Sequence, residues 1–354
     1  MYQNPPGPRR AGPTGGRRVT LHDVAREAGV SYATASRAIH PGSRKVNEGA
    51  RDRVLAAAGK LNYTPNFPAR AVAHGSTMAV ALVVSDVADP YFSSLAAGAR
   101  RAADDAGLSL TMAVSGGDPE REVELVRKLR GQRPRAIVVA GSRLTDCPHR
   151  DALAEELRLF EGAGGRAVLI SQPDLPFPTI SLANGESGQR LTTALAGRGY
   201  RRLAVIRGPD KLRTSRDRAD GLVRGAAADG IVLAKRDVIE APFTRDGGYQ
   251  AALSLVERGL GGIDAVVAVS DVMAVGAMSA LRDSGLAPGR DLGVAGFDDI
   301  PMAVDVMPML TTVAAPLVEM GARAVRLALG DRAGSQTETV ATEVVIRDST
   351  PRRP

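Results

Sequence analysis

Thr20-Leu-His-Asp-Val-Ala-Arg-Glu-Ala-Gly29-Val-Ser31-Tyr-Ala-Thr-Ala-Ser-Arg-Ala-Ile39 reads as a helix, a turn and a second helix. Thr20 is a capping residue, and Asp23 stands three residues later, where a carboxylate meets the free backbone donors of a first turn. Leu21, Val24, Ala25 and Ala28 recur at helical spacing and make one face apolar. Gly29 supplies the positive φ that ends the helix, Val30 plugs the corner, and Ser31 caps the second helix. There Ala35, Ala38 and Ile39 point one way, and Tyr32, Ala33, Ser36 and Arg37 point the other. That outward face carries residue types that read base edges and thymine methyls in a major groove. The plain alternative is a helical hairpin with a solvated polar face.

Charge placement bears on that choice. The 354 residues carry a formal charge of +7. Residues 1–75 hold 12 Lys and Arg against 4 Asp and Glu, while the remainder holds 34 against 35. The basic character thus belongs to the segment with the helix-turn-helix pattern, as phosphate binding requires. Residues 1–18, rich in Pro, Gly and Arg, are expected to be a disordered basic tail whose Arg9, Arg10, Arg17 and Arg18 add phosphate attraction. After the second helix, His40-Pro41-Gly42-Ser43 is a turn cluster. Asn47 then caps a third helix whose Val54, Leu55, Ala58 and Leu61 are expected to close a small core. Asn62-Tyr63-Thr64-Pro65-Asn66 breaks it. Phe67 to His74 spaces Ala69, Val72 and Ala73 as one side of a two-turn helix too short to stand alone.

From Thr77 the texture changes. Apolar runs of strand length occur at residues 78–84, 108–114, 136–140, 167–170, 203–206, 265–269 and 292–295, with amphipathic stretches such as Glu120 to Leu129 and Ser187 to Leu195 between them. Apolar strands alternating with helices indicate parallel sheets covered on both faces. Two sheets fit the length, and Pro173, Pro176 and Pro178 suggest the break between them near residues 170–180. No apolar run reaches membrane-spanning length and no secretory signal is recognisable, so a cytoplasmic location is expected. A single cysteine, Cys147, excludes an internal disulfide.

Residues 19–75 resemble the DNA-binding headpiece of the lactose-repressor family of bacterial transcription regulators. The matches run in order from Val-Thr-Leu-His-Asp-Val-Ala-Arg-Glu-Ala-Gly-Val-Ser through Thr-Ala-Ser-Arg, Val46 and Arg51 to Leu-Asn-Tyr-Thr-Pro-Asn. The resemblance continues through Asp89-Pro90-Tyr91-Phe92, Arg218-Ala219-Asp220-Gly221, Phe243-Thr244, Ser270-Asp271, Gly296-Phe297-Asp298-Asp299 and Leu310-Thr311-Thr312-Val313. It implies a small all-α helix-turn-helix domain, residues 19–65, joined by a hinge helix, residues 66–75, to a two-lobed α/β core with parallel sheets, similar to periplasmic binding proteins, over residues 76–350. Late residues near 305 to 330 are expected to return to the first lobe.

The resemblance also implies roles. Thr20, Ser31, Tyr32, Ala33, Ser36 and Arg37 are DNA-binding candidates, Asn47 and Asn66 position the backbone, and Ala69 and Val72 belong to a hinge helix that enters the minor groove. At Val72 the family usually carries leucine as a wedge between base pairs. Tyr91, Phe92, Arg218, Phe243, Ser270 and Asp298 are effector-binding candidates. Arg218 and Asp298 would fix polar groups while Phe243 covers an apolar face. Three of them have a specific plainer alternative: Phe92 in the core, Asp298 as a helix cap, Arg218 paired with Asp217 or Asp220. Two departures, Asn184-Gly185 and Ser270, remove hydrogen-bonding groups expected for sugar recognition.

Enzyme patterns fare badly. The glycines between Gly162 and Ala167 precede a strand, so they do not form a dinucleotide fingerprint. The four histidines, His22, His40, His74 and His149, lack metal-ligand spacing, and neither metal nor cofactor is expected. The expectation is a dimeric, ligand-controlled repressor without catalytic activity that binds a pseudo-palindromic operator and a small effector such as a sugar or nucleobase. The rival is a cytoplasmic solute-binding protein or sugar-processing α/β enzyme with an incidental basic N-terminus.

Overall fold

The computed structural model describes residues 19–39, 46–64, 76–330 and 336–353. The expected tail, the turn at 40–43 and the hinge positions Asn66, Ala69 and Val72 lie outside the described residues. The chain divides into two compact units, Met1–Arg70 and Ala71–Pro354.

The first unit contains α1 (Leu21–Glu27), α2 (Tyr32–Ile39) and α3 (Glu48–Lys60). Thr20 and Asp23 form the reciprocal capping box, with Thr20 N donating to Asp23 at 3.0 Å and Asp23 N to Thr20 Oγ1 at 3.4 Å. Gly29 has φ +63°, a left-handed turn that a side chain would strain. Ser31 Oγ accepts from Thr34 N at 3.1 Å, and Asn47 Oδ1 from Ala50 N at 3.4 Å. Val24, Ala25, Ala28, Ala35, Ala38, Val54 and Ala57 are buried together, with Leu21, Val30, Ile39 and Leu61 packed around them. Leu55 departs from expectation: it is 47% exposed. Val54, Ala57, Ala58 and Leu61 make the i, i+3, i+4, i+7 stripe of α3, and one residue's rotation carries Leu55 off it.

In the second unit β1 (Ala79–Val84), α4 (Pro90–Asp105), β2 (Ser109–Val114), α5 (Pro119–Gln132), β3 (Ala136–Ala140), α6 (Arg150–Gly162), β4 (Arg166–Ile170) and β5 (Thr179–Leu182) build lobe one. The chain then enters lobe two with α7 (Asn184–Ala196), β6 (Leu203–Arg207), α8 (Arg213–Ala228), β7 (Val238–Glu240), α9 (Arg245–Glu257), β8 (Ala265–Ala268), α10 (Asp271–Asp283), β9 (Gly293–Ala295), α11 (Met302–Asp305) and β10 (Thr312–Ala314). It returns with α12 (Leu317–Leu329) and β11 (Thr337–Val340), and crosses again to β12 (Glu343–Val345). Lobe one is a parallel six-stranded sheet, ordered β11-β5-β4-β3-β1-β2; lobe two is a parallel four-stranded sheet, ordered β7-β6-β8-β9. A separate antiparallel pair joins β10 to β12.

Two expectations need correction. The prolines at 173, 176 and 178 do not separate the sheets. Leu169 and Ile170 pair with Thr179 and Ile180, so these prolines lie in a loop within one sheet, and the break comes after Leu182. Proline ends regular structure without dictating which sheet the next strand joins. Residues 305–314 also stay in lobe two, where Ala303, Leu310 and Val313 are core residues; the return starts at α12, whose Met320, Ala324 and Val325 enter the core of lobe one. There α12 crosses α4 with Gly98 opposite the Val318 carbonyl and Gly321 opposite the Leu95 carbonyl, an approach that leaves no room for a Cβ. The tail packs on lobe two to Arg353: Ser349 Oγ donates to Val294 O at 2.6 Å, and Arg353 N to Arg198 O at 2.8 Å.

Candidate nucleic-acid interface and effector cleft

On α2 the two faces separate as the spacing predicts. Ala35 and Ala38 are buried, whereas Tyr32 is 49% exposed and Ala33 and Arg37 are exposed beside half-buried Ser36. The Tyr32 ring stacks on His22 of α1, centroids 4.4 Å apart, which fixes its direction. The Arg37 guanidinium makes no ion pair among the described residues. A helix that begins at a capped serine therefore presents an aromatic, a methyl, a hydroxyl and a cation on one side.

In parallel α/β sheets the loops after the strands gather at their carboxyl ends. Here those ends of both sheets face a cavity of about 810 Å³. Lobe one contributes the loops after β1, β2, β3 and β4, and lobe two contributes the start of α8, Phe243 to Arg245, Val272 and Asp298. Tyr91, Phe92, Arg218, Phe243 and Asp298 all line it. Tyr91 and Phe92 meet edge to face at 5.0 Å, and Phe92 is at once core and wall. Ser270 is elsewhere: it is 2% exposed, caps α10 by accepting from Met273 N at 3.4 Å, and is absent from the cavity wall.

Arg218 and Asp298 hold each other. The guanidinium, 2% exposed, makes paired bonds of 2.7 and 3.1 Å to Asp298, which is 4% exposed. Its Nε donates to Asn184 Oδ1 at 2.9 Å, its Nη1 to Val269 O at 2.8 Å, and its plane lies 3.8 Å from the Phe297 centroid. Neither Asp217 nor Asp220, the nearer partners in sequence, is used. Asp298 has φ +112°, a strained conformation held by backbone bonds from its N to Val313 O and from Ala315 N to its O. Burial pushes the Asp298 carboxyl up to about 6 against the pull of Arg218. Asp271, which makes no ion pair among the described residues, is pushed by burial up to about 7, and Asp298 adds to the effect. Thr312 Oγ1 at 2.6 Å and Ile300 N at 3.0 Å donate to Asp271.

At Asn184-Gly185 the asparagine lines the cavity and its Oδ1 accepts from Arg218, while Gly185 has no side chain to offer. Sequence reasoning also missed the polar clasp between lobes at the cavity rim. Gln172 Nε2 donates to Thr214 Oγ1 at 2.7 Å, Thr214 N to Ser142 Oγ at 3.1 Å, Arg213 N to Arg143 O at 3.0 Å and Thr145 N to Lys211 O at 2.9 Å. Arg143 is paired with Glu122 at 2.8 and 2.9 Å, both buried. These residues carry no motif; only the docking of two loops brings them together. Among the described residues no group of three potential metal ligands exists, and no helix is long and apolar enough to cross a membrane.

A helix-turn-helix unit in one chain with a two-lobed, cleft-bearing α/β core defines a ligand-controlled transcription regulator. Residues 20–66 match the model of the lacI family of bacterial regulatory proteins, and residues 192–350 match that of a periplasmic binding protein-like domain. The regulator GalS of Salmonella typhimurium strain LT2 is 32% identical over 90% of this chain and 91% of its own, and GalR of Escherichia coli K12 is 33% identical over 88% of each. The lac repressor dimer bound to operator and the anti-inducer ONPF superposes with a TM-score of 0.80 at 26% identity, covering 95% of this chain and all of that one. A complex of the regulator CelR with cellobiose gives 0.67 at 29%, covering 94% and all. The chain belongs to the lacI family of bacterial regulatory proteins.

Proposed function

We propose that this protein represses transcription in the cytoplasm as a homodimer on a pseudo-palindromic operator, and that a small polar effector in the interlobe cleft sets its affinity for DNA. Tyr32, Ala33, Ser36 and Arg37 read the major groove; Thr20, Ser31 and Asn47 meet the backbone at helix N-termini. Asn66, Ala69 and Val72 act in the hinge, with Val72 as a short minor-groove wedge. In the cleft Tyr91, Phe92 and Phe243 cover apolar faces of the effector, Arg218 and Asp298 meet its polar groups, and Ser270 positions α10 beneath them.

The observation that carries the reading is the 810 Å³ cavity shared by two lobes, lined by aromatic rings and a prealigned buried ion pair. A ligand that touches both lobes favours the closed form and so can shift a two-state equilibrium. The cellobiose held by the similar regulator CelR supports a carbohydrate-sized effector. Footprinting the purified full chain across its genome tests the proposal. Recovery of a recurrent inverted repeat is expected, while binding that depends on salt alone, without sequence preference, refutes it.

A further inference from the structure

Carboxylates outnumber available cations on the walls that the lobes turn toward each other. On lobe one Asp86 and Asp89 both line the cavity. Each uses one oxygen locally, Asp86 on Ala88 N and Asp89 on Tyr91 N, both at 2.9 Å, and neither makes an ion pair among the described residues. On lobe two Asp298 is met by Arg218, whose donors are shared with Asn184 and Val269. Of the other lining cations, Arg143 belongs to Glu122, Arg150 to Asp174 and Arg245 to Asp246, and Lys211 is exposed. Burial raises the pKa of Asp298, and the charge of Asp89 raises it further against the pull of Arg218. Burial likewise raises Asp89, with Asp86 adding to it and Arg218 opposing.

A second observation is independent of charge. Asn184 is 7% exposed; its Oδ1 is taken by Arg218, and its amide nitrogen has no hydrogen-bond partner among the described residues, although the side chain lines the cavity. That nitrogen is open to the cavity, so a ligand oxygen entering the cleft can accept from it. The rings of Tyr91 and Phe243, from opposite lobes, complete a wall suited to a cation.

We infer that the effector is a small organic cation, a protonated amine with an oxygen acceptor on the neighbouring carbon, as in an amino sugar, with its ammonium between Asp89 and Asp298 and its oxygen toward Asn184. This rests on the cleft being the effector site. Carboxylates on opposite lobes oppose closure, and an ammonium between them turns that repulsion into attraction in the closed form alone, which is the differential affinity a switch requires.

Calorimetric titration of the full chain with glucosamine, galactosamine and mannosamine, each beside its parent hexose and its N-acetyl derivative, tests this. At least one amine is expected to bind tenfold or more tightly than both neutral partners. Asp89→Asn, checked for folding by circular dichroism, is expected to lose that preference, and Asp86→Asn to weaken it less. Failure of all three amines to bind, a neutral hexose binding as tightly as its amine, or a preference that survives Asp89→Asn overturns the inference. A neutral sugar that binds and changes operator affinity removes the cation and leaves the effector site standing; a bound ligand that leaves DNA affinity unchanged removes the site's regulatory role instead.

Discussion

Replacing Arg218 by methionine isolates what the buried pair contributes. The substitution keeps a long apolar stem against Phe297 but leaves Asp298, 4% exposed, without its cation, and strips donors from Asn184 Oδ1 and Val269 O. Breaking a buried pair from one side costs about 3 to 5 kcal/mol, whereas replacing both partners can be nearly neutral. The double variant Arg218→Met/Asp298→Asn is therefore expected to be less destabilised than the two single changes added together, with a coupling of about 1 to 3 kcal/mol. The pH dependence has a definite sign. Asp298 sits at about 6 when folded, above its ordinary value of 3.8, so its contribution to stability is full below the unfolded pKa and is lost as pH rises through the folded one. Without Arg218 the folded pKa climbs further, and the penalty of Arg218→Met should be greatest near pH 8 and smallest near pH 5. Urea denaturation of the full chain, followed by circular dichroism for the core transition at both pH values, measures the single penalties, the coupling and their pH dependence. Additive single changes together with a pH-independent penalty would refute the buried-pair reasoning.

Asp271, pushed by burial to about 7 from 3.8, should give a wild-type core whose stability falls as pH rises from 4 to 7, by about 4 kcal/mol for a shift of that size, and Asp271→Asn should flatten the curve; an unchanged slope in denaturation midpoints would remove Asp271 as its source. Arg37→Ala should cost about 1 to 3 kcal/mol in operator binding and relax sequence preference; gel shifts on operator variants that all weaken equally would make Arg37 a phosphate contact. Gly98→Ala would drive a Cβ into the Val318 carbonyl and should destabilise lobe one by about 1 to 3 kcal/mol, read as a lower thermal midpoint, with unchanged stability counting against a tight α4–α12 approach.

The first unit is nearly all legible in the sequence, because its caps, turn glycine and apolar stripes are local signals that agree with one another. Leu55 escapes because a thirteen-residue helix has only one core stripe and an adjacent leucine looks equally apolar. In the core the seven strands that lie in mostly apolar runs can be read. The segments 179–182, 238–240, 312–314, 337–340 and 343–345 cannot, because each is short and carries Thr, Ser or Glu, as in Thr337-Glu-Thr-Val340. Tertiary pairing, not local preference, makes them strands. In the cleft the family-like motifs lead to Tyr91, Phe92, Arg218, Phe243 and Asp298. Ser270 reads wrongly as a lining residue because capping and ligand binding use the same hydroxyl. Ser142, Gln172 and Thr214 give no signal, since their meeting depends on how two lobes dock.

The three crossings between lobes also set an order on synthesis. The three helices at the start of the chain pack on partners close in sequence and can fold as they leave the ribosome. Lobe one cannot finish then: the face of α4 waits for α12, and β5 remains an open edge until β11 arrives. A message interrupted before residue 317 would therefore yield a folded DNA-binding unit tethered to a half-covered sheet, the kind of surface that aggregates or is degraded. Late completion of the first lobe means that a growing chain holds both its DNA-binding unit and a finished first sheet only once residues 317–340 have been made.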